Sequence, residues 1–272
     1  MKIYRNTKEI TRKETIGRRF SLTGLGILFI GMMASFVPTM YPPGTEAPNA
    51  LAAYAQQYWA LASFIALPAG FIFASIGSYF INRFAARRWP NSKTVARPDE
   101  MLARSMKGFD DKYTYFAYGL PSQYVVSGPC GVLLFVVRGD RGRITVEGDR
   151  WREPFSIGRF FTVFAREGLG NPAREVAEQE GKMKALLQSA TETPEDVDLN
   201  AVPVAGAAVF LNSDVQLTVD GPTIPVLRAD QVKDYIRRKT KEVRLPGATV
   251  RALNEFLRTQ ATFEAAEAEG SQ

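Results

Sequence analysis

Two long stretches without a single charged residue constrain this chain more than anything else in it. None lies between Arg19 and Glu46, and none between Glu46 and Arg83. The first run is mostly apolar over residues 21–40 (SLTGLGILFIGMMASFVPTM), and the apolar heart of the second covers residues 58–81. About 20 apolar residues at ~1.5 Å each match a hydrocarbon layer of roughly 30 Å. Pro42, Pro43 and Gly44 in the link stop a helix and turn the chain. A helical hairpin that crosses a bilayer twice is therefore expected.

Several details agree. Gly24 and Gly31 on the first segment, and Gly70, Ala74 and Ser78 on the second, are small residues at helical spacing that let two backbones approach. Pro68 is tolerated in a membrane helix. Tyr41, Tyr58, Trp59 and Trp89 sit near the ends, where amphipathic rings favour the interface. Lys2, Arg5, Lys8, Arg12, Lys13, Arg18 and Arg19 precede the first segment, and Arg83, Arg87, Arg88 and Lys93 follow the second. The loop between them carries Glu46 and no cation. Positive charge stays on the cytoplasmic side, so both termini are expected there, in a multi-pass protein of the cell membrane. The competing pattern is a cleaved signal peptide with a site near Ala53-Tyr54-Ala55, but the apolar core is longer than the 7–15 residues of such signals.

The expected organisation is a basic N-terminus (1–19), two membrane helices (20–84), a linker (85–97), an α/β domain (98–262) and an acidic tail (263–272). The net charge of +6 belongs largely to the flanks of the apolar runs. The single cysteine, Cys130, excludes an intrachain disulfide and fits a reducing compartment. With no histidine in the chain, Ser-His-Asp and Cys-His catalysis and His-ligated metal sites are excluded.

In the soluble part, residues 99–108 have helical spacing. Residues 113–118 read as a strand, and 124–127 and 132–137 as two strands around a Gly128-Pro129-Cys130-Gly131 turn. The second of these, VLLFVV, is apolar on both faces and belongs in the middle of a sheet. Further strands are expected over 142–147, 202–211, 215–219 and 224–227. Helices are expected over 171–188 (capped by Asn171), 229–239 and 248–260. This is a mixed α/β sheet flanked by helices. The loop Gly139-Asp140-Arg141-Gly142-Arg143 reads as a solvated hairpin turn or as a phosphate contact. Arg237, Arg238, Lys239, Lys241 and Arg244 form a second basic cluster, suited to a helix C-terminus, nucleic acid or anionic lipid.

Three segments taken in order resemble the NERD (nuclease-related) domain family, a branch of the restriction-endonuclease-like fold. They are 124–138 (YVVSGPCGVLLFVVR), the helix start Asn171-Pro172-Ala173-Arg174-Glu175, and 202–212 followed by Val226-Leu227-Arg228 and a helix. Glu100 resembles an early helical glutamate of the family. The resemblance covers roughly 98–240. It implies a metal-dependent phosphodiesterase whose Asp opens the first hairpin strand and whose Glu-x-Lys lies on the second. Two carboxylates would hold a divalent metal that activates water. Here those positions fall on Gln123, Val136 and Arg138. A catalytic centre is therefore expected to be degenerate, with no metal or other cofactor and with Arg138, Arg141 and Arg143 as candidate nucleic-acid contacts. The expected function is a membrane-anchored, inactive nuclease-like module that binds or scaffolds, with nucleic acid or a membrane-associated protein as partner. The alternative is an active magnesium-dependent nuclease whose ligands have moved to Glu100, Asp110, Asp111, Asp140 or Glu147. A third possibility is a membrane-assembly subunit in which the hairpin is the essential part.

Overall fold

The computed structural model describes residues 1–42, 44–87, 93–154, 169–190 and 197–261. Pro43, Arg88, Trp89 and the acidic tail lie outside the described residues. Two compact units emerge: residues 11–94 in one, and the remaining described residues, 1–10 and from 95 onward, in the other.

The first unit is a helical hairpin. Helix α1 (Thr7–Met40) and helix α2 (Ala50–Phe84) are 34 and 35 residues long. Both are long and apolar enough to cross a membrane by length and composition. Only 11% and 22% of their most apolar windows are buried. Phe29, Ile30, Phe64 and Ile65 are among the large side chains left bare, and so broad an apolar surface calls for a lipid or protein cover. Asn49 caps α2 by accepting a hydrogen bond from the Ala52 amide at 2.9 Å, and Pro38 and Pro68 are accommodated inside the helices.

Small residues set the seam between the helices. Gly17, Gly24 and Gly31 recur every seventh residue of α1, and Ser63, Gly70 and Gly77 do the same on α2. A Cβ on Gly24 would strike the backbone of Ala74, one on Gly77 the backbone of Ser21, and one on Gly70 would lie 2.8 Å from the Leu28 amide nitrogen. Ser35 and Ser63 exchange a 3.0 Å hydrogen bond across the seam. A seven-residue repeat keeps one stripe facing its partner along the whole length. Ser78, expected in this stripe, instead accepts from Asn82 Nδ2 at 3.2 Å, and Gly77 takes the contact.

The second unit is mixed α/β. Its main sheet has the order β1-β2-β3-β4-β7-β9, formed by β1 (Lys2–Arg5), β2 (Thr114–Ala117), β3 (Tyr124–Gly128), β4 (Gly131–Arg138), β7 (Val204–Phe210) and β9 (Val226–Arg228). β2, β3 and β4 are antiparallel neighbours; β1 joins β2, β7 joins β4 and β9 joins β7 in parallel. A second sheet, β6-β5-β8, contains β5 (Gly142–Glu147), β6 (Arg150–Arg152) and β8 (Val215–Asp220). The helices are α3 (Pro98–Ser105), α4 (Pro172–Gln188), α5 (Val232–Glu242) and α6 (Gly247–Gln260).

As expected from its two-faced apolar sequence, β4 lies inside the sheet and every residue in it is buried. Val132 and Leu134 join Met183 and Leu187 of α4 and Leu253 and Leu257 of α6 in one core cluster. Phe135 points to the other face and meets Tyr235 of α5 edge-on at 6.4 Å. Gly131 is required at the β3–β4 turn: its φ is +84°, and a Cβ there would run into the Pro203 carbonyl.

Two expectations change. The segment 1–19 is not a separate basic arm, because residues 2–5 form the edge strand β1 and α1 starts at Thr7. Four residues are too few for an alternating pattern to stand out. The 139–143 loop is not a hairpin turn either. β4 already has β3 and β7 on its two sides, so it has no edge for β5. The chain leaves the main sheet there, and β5 pairs in parallel with β8.

One buried carboxylate ties the segment before the hairpin to the segment after it. Asp99, at the start of α3, is fully buried. Arg5 Nε at the end of β1 lies 3.0 Å from its Oδ2, and Arg97 Nε lies 3.0 Å from its Oδ1. Arg97 also reaches Glu100 at 3.1 Å. Burial pulls the Arg97 pKa down, but the hydrogen bond and charge of Asp99 outweigh that effect and the net shift is upward.

Two predictions follow from these contacts. Asp99→Ala leaves two half-buried guanidinium groups without their shared anion and is expected to cost about 3 kcal/mol, measured by chemical unfolding of the full chain in detergent. In the hairpin, a Ser35→Cys/Ser63→Cys pair is expected to cross-link on mild oxidation, and adding Gly77→Leu to abolish most of that product on a non-reducing gel.

Candidate functional site

Continuing the β3–β4 register, in which Val125 faces Leu134, sets Gln123 across from Val136. Arg138 lies two residues farther along β4, on the same face. The fold thus brings together the three positions matched to the nuclease motif, at the strand ends beneath α4. Gln123 is half-buried, and its carbonyl accepts from the Tyr118 amide at 2.8 Å. Tyr118 has a φ of +62°, a left-handed conformation held by a 2.6 Å hydrogen bond between its hydroxyl and that of Tyr124. Val136 is 3% exposed and contributes only methyl groups.

Arg138 is also 3% exposed. Its guanidinium pairs with Glu175 in the first turn of α4 and donates from Nε to the Leu169 carbonyl at 3.3 Å. Asn171 accepts from the Arg174 amide at 3.1 Å and starts α4 at the position expected from Asn-Pro. That start places Glu175 over the end of β4. Farther along the helix, Gln179 Oε1 accepts from Ser122 at 2.6 Å and Glu180 Oε1 from the Gly206 amide at 2.7 Å.

The donor set does not fit a divalent metal. It offers a neutral amide at Gln123, hydrocarbon at Val136, and one carboxylate already neutralised by an arginine. No group of three or more Cys, Asp or Glu among the described residues is arranged to hold a metal. The carboxylates named as relocated ligands are dispersed. Glu100 pairs with Arg97 in α3. Asp110 accepts from the Lys112 amide at 3.2 Å in a local turn. Asp111 lines a cavity at the other end of the sheet, and Glu147 lies 3.8 Å from Arg152 in the second sheet. Asp140 follows Arg138 in the exit from β4. Of the candidate nucleic-acid contacts, Arg138 is buried in its ion pair, whereas Arg141, just before β5, and Arg143, at its start, are exposed. Glu175 stands in the quoted Asn-Pro motif, but an acid in the first turn of a helix is expected for dipole reasons alone. Its partnership with Arg138 could be seen only once α4 was laid across β4.

The opposite end of the same sheet holds a concavity of about 1090 Å³. Lys2 and Tyr4 of β1, Lys112, the Pro129 turn, Arg244 and the α6 residues Arg251 and Arg258 contribute to its walls. Of the expected second basic cluster, only Arg244 lies here. Arg237 pairs with Asp234 at 3.5 Å, Lys239 with Glu242 at 2.6 Å, and Arg238 lies over the Tyr235 ring.

No protein-family model, curated protein or solved structure matches this chain.

Cys130, in the turn beside this cavity, is buried, and burial pushes its thiol up to about 11. At pH 8 almost none of it is thiolate, the reactive form. Native protein is expected to react with Ellman's reagent at least tenfold more slowly than protein unfolded in guanidinium, as followed by absorbance.

Proposed function

We propose that the chain is a membrane-anchored, nuclease-related module that binds rather than cuts, at the cytoplasmic face. The observation that carries this reading is the Arg138–Glu175 ion pair beside Val136. At the positions where the resemblance calls for Glu-x-Lys, a hydrocarbon side chain replaces one ligand. A guanidinium that cannot give up its proton replaces the lysine. That same guanidinium repels a divalent cation and neutralises the adjacent carboxylate.

The order of elements supports the nuclease-related reading. A helix precedes three antiparallel strands, then a crossover helix, then a strand parallel to the third. This agrees with the restriction-endonuclease-like core that the resemblance implies. Support for anchoring by two crossings comes from chain continuity. The chain leaves the α/β unit after β1 and re-enters it before α3, and Asp99 joins the two points. Two crossings return a chain to the side it left, in agreement with cations flanking both helices and none in the loop. Cleavage near Ala55 would remove β1 from the sheet, which argues against the signal-peptide reading. Arg141 and Arg143, exposed beside the altered centre, suit a nucleic acid or an acidic surface of a membrane-associated protein.

Purified full-length protein in detergent, given plasmid and single-stranded DNA with magnesium or manganese, is expected to produce no cleavage above buffer. Cleavage that disappears in Arg138→Ala would overturn the inactive reading. Topology is checked on a Cys130→Ser background with a membrane-impermeant maleimide applied to intact cells. A cysteine replacing Thr45 is expected to label and one replacing Lys241 to label only after lysis; the reverse pattern would invert the orientation.

A further inference from the structure

The cavity at the far end of the sheet concentrates positive charge that the fold does not use. Lys2, Lys112, Arg244, Arg251 and Arg258 line it, against Asp111 and Glu255. Arg258 is paired with Glu255. The other four cations are exposed, and none is in an ion pair among the described residues. Several other cations in this unit are matched by neighbours, as at Arg5, Arg97, Arg138, Lys182, Arg228 and Arg237.

The backbone beneath these side chains is pinned. The Lys2 amide donates to the Tyr113 carbonyl at 3.0 Å, and the Leu245 amide, next to Arg244, to Pro129 at 2.9 Å. The Lys112 carbonyl accepts from Asn254 Nδ2 of α6 at 3.3 Å. Arg251 sits one turn into α6. The long cationic side chains thus extend from fixed points around one space, so a bound anion orders only their ends. Between them the walls include apolar side chains: Leu245, Val250, and the ring of Tyr4, which stacks on Phe116 at 5.6 Å.

We infer that this cavity binds a soluble nucleoside polyphosphate. Among the described residues the lining carries five cations against two anions, a surplus that exceeds what a single phosphate neutralises and suits a diphosphate or triphosphate. An apolar, aromatic wall suits a flat base. The volume, about 1090 Å³, lies just above the usual small-molecule range of roughly 300–1,000 Å³. The cavity opens at the strand ends opposite those where the chain passes into α1, so the inference does not depend on the state of the nuclease-like centre.

The test is calorimetric titration of the full-length protein in detergent, with EDTA present, using ATP, GTP, pyrophosphate, a 20-nucleotide single-stranded DNA and phosphatidylglycerol vesicles as separate probes. The expected result is saturable binding of ATP or GTP, displaced by pyrophosphate. Arg244→Gln/Arg251→Gln is expected to weaken it at least tenfold, with an unchanged circular dichroism melt, and Lys184→Gln, an exposed charge on α4, to leave it unaltered. No binding of either nucleotide, or equal affinity in the double variant, would overturn the inference. So would tighter binding of DNA than of the nucleotides, or binding of vesicles alone.

Discussion

The shape of the α/β unit depends on one buried carboxylate. Asp99 receives Arg5 from the strand that precedes the hairpin and Arg97 from the segment that follows it. Buried charges persist only when matched, and here one anion faces two partly exposed cations, with Glu100 as further compensation. The contact joins two parts of the chain separated by both long helices. It adds to what holds β1, only four residues long and paired along one edge, against β2: the ladder itself and the Tyr4 ring stacked on Phe116. The unit that carries the site is thus built from sequence on both sides of the hairpin.

A second matched charge lies at the same end of the sheet, on the interior strand β4. Arg138 closes the end of β4 against Glu175 of α4 and the Leu169 carbonyl. The strand ends of a mixed sheet, roofed by a crossover helix, are where α/β folds place chemistry. In this chain that position is occupied by groups that satisfy one another. A carboxylate that balances a buried guanidinium is not available to polarise water or bind a metal. Removing it would leave an unpaired buried cation, so its role is structural.

Much of this was legible in the sequence because it depends on local pattern. The hairpin follows from uncharged runs, β4 from VLLFVV, the β3–β4 turn from Gly-Pro-Cys-Gly, and the start of α4 from Asn-Pro. What escaped depends on contacts between distant segments. β1 is too short for periodicity and gains its identity only by pairing with residues 114–117. Gly17 lay among basic residues and gave no sign that it continues the Gly24–Gly31 stripe. Arg138 was expected to be a nucleic-acid contact because its partner lies on a helix far along the chain. Lys2, Lys112 and Arg251 carried no common motif, since three separate elements bring them to one cavity.

The two ends of the main sheet therefore use charge in opposite ways. Toward the junctions with the helices, Arg5, Arg97, Asp99, Arg138 and Glu175 form ion pairs that are wholly or partly buried, and such pairs hold elements in register. Toward the cavity, cations stand exposed on pinned backbone, facing apolar walls. Like charges gathered around one space repel one another, a modest cost that a fold without a ligand could avoid by scattering them. A bound polyanion would turn that repulsion into binding energy. The same asymmetry runs across one sheet: at one end paired charges serve as framework, and at the other the cations stay exposed.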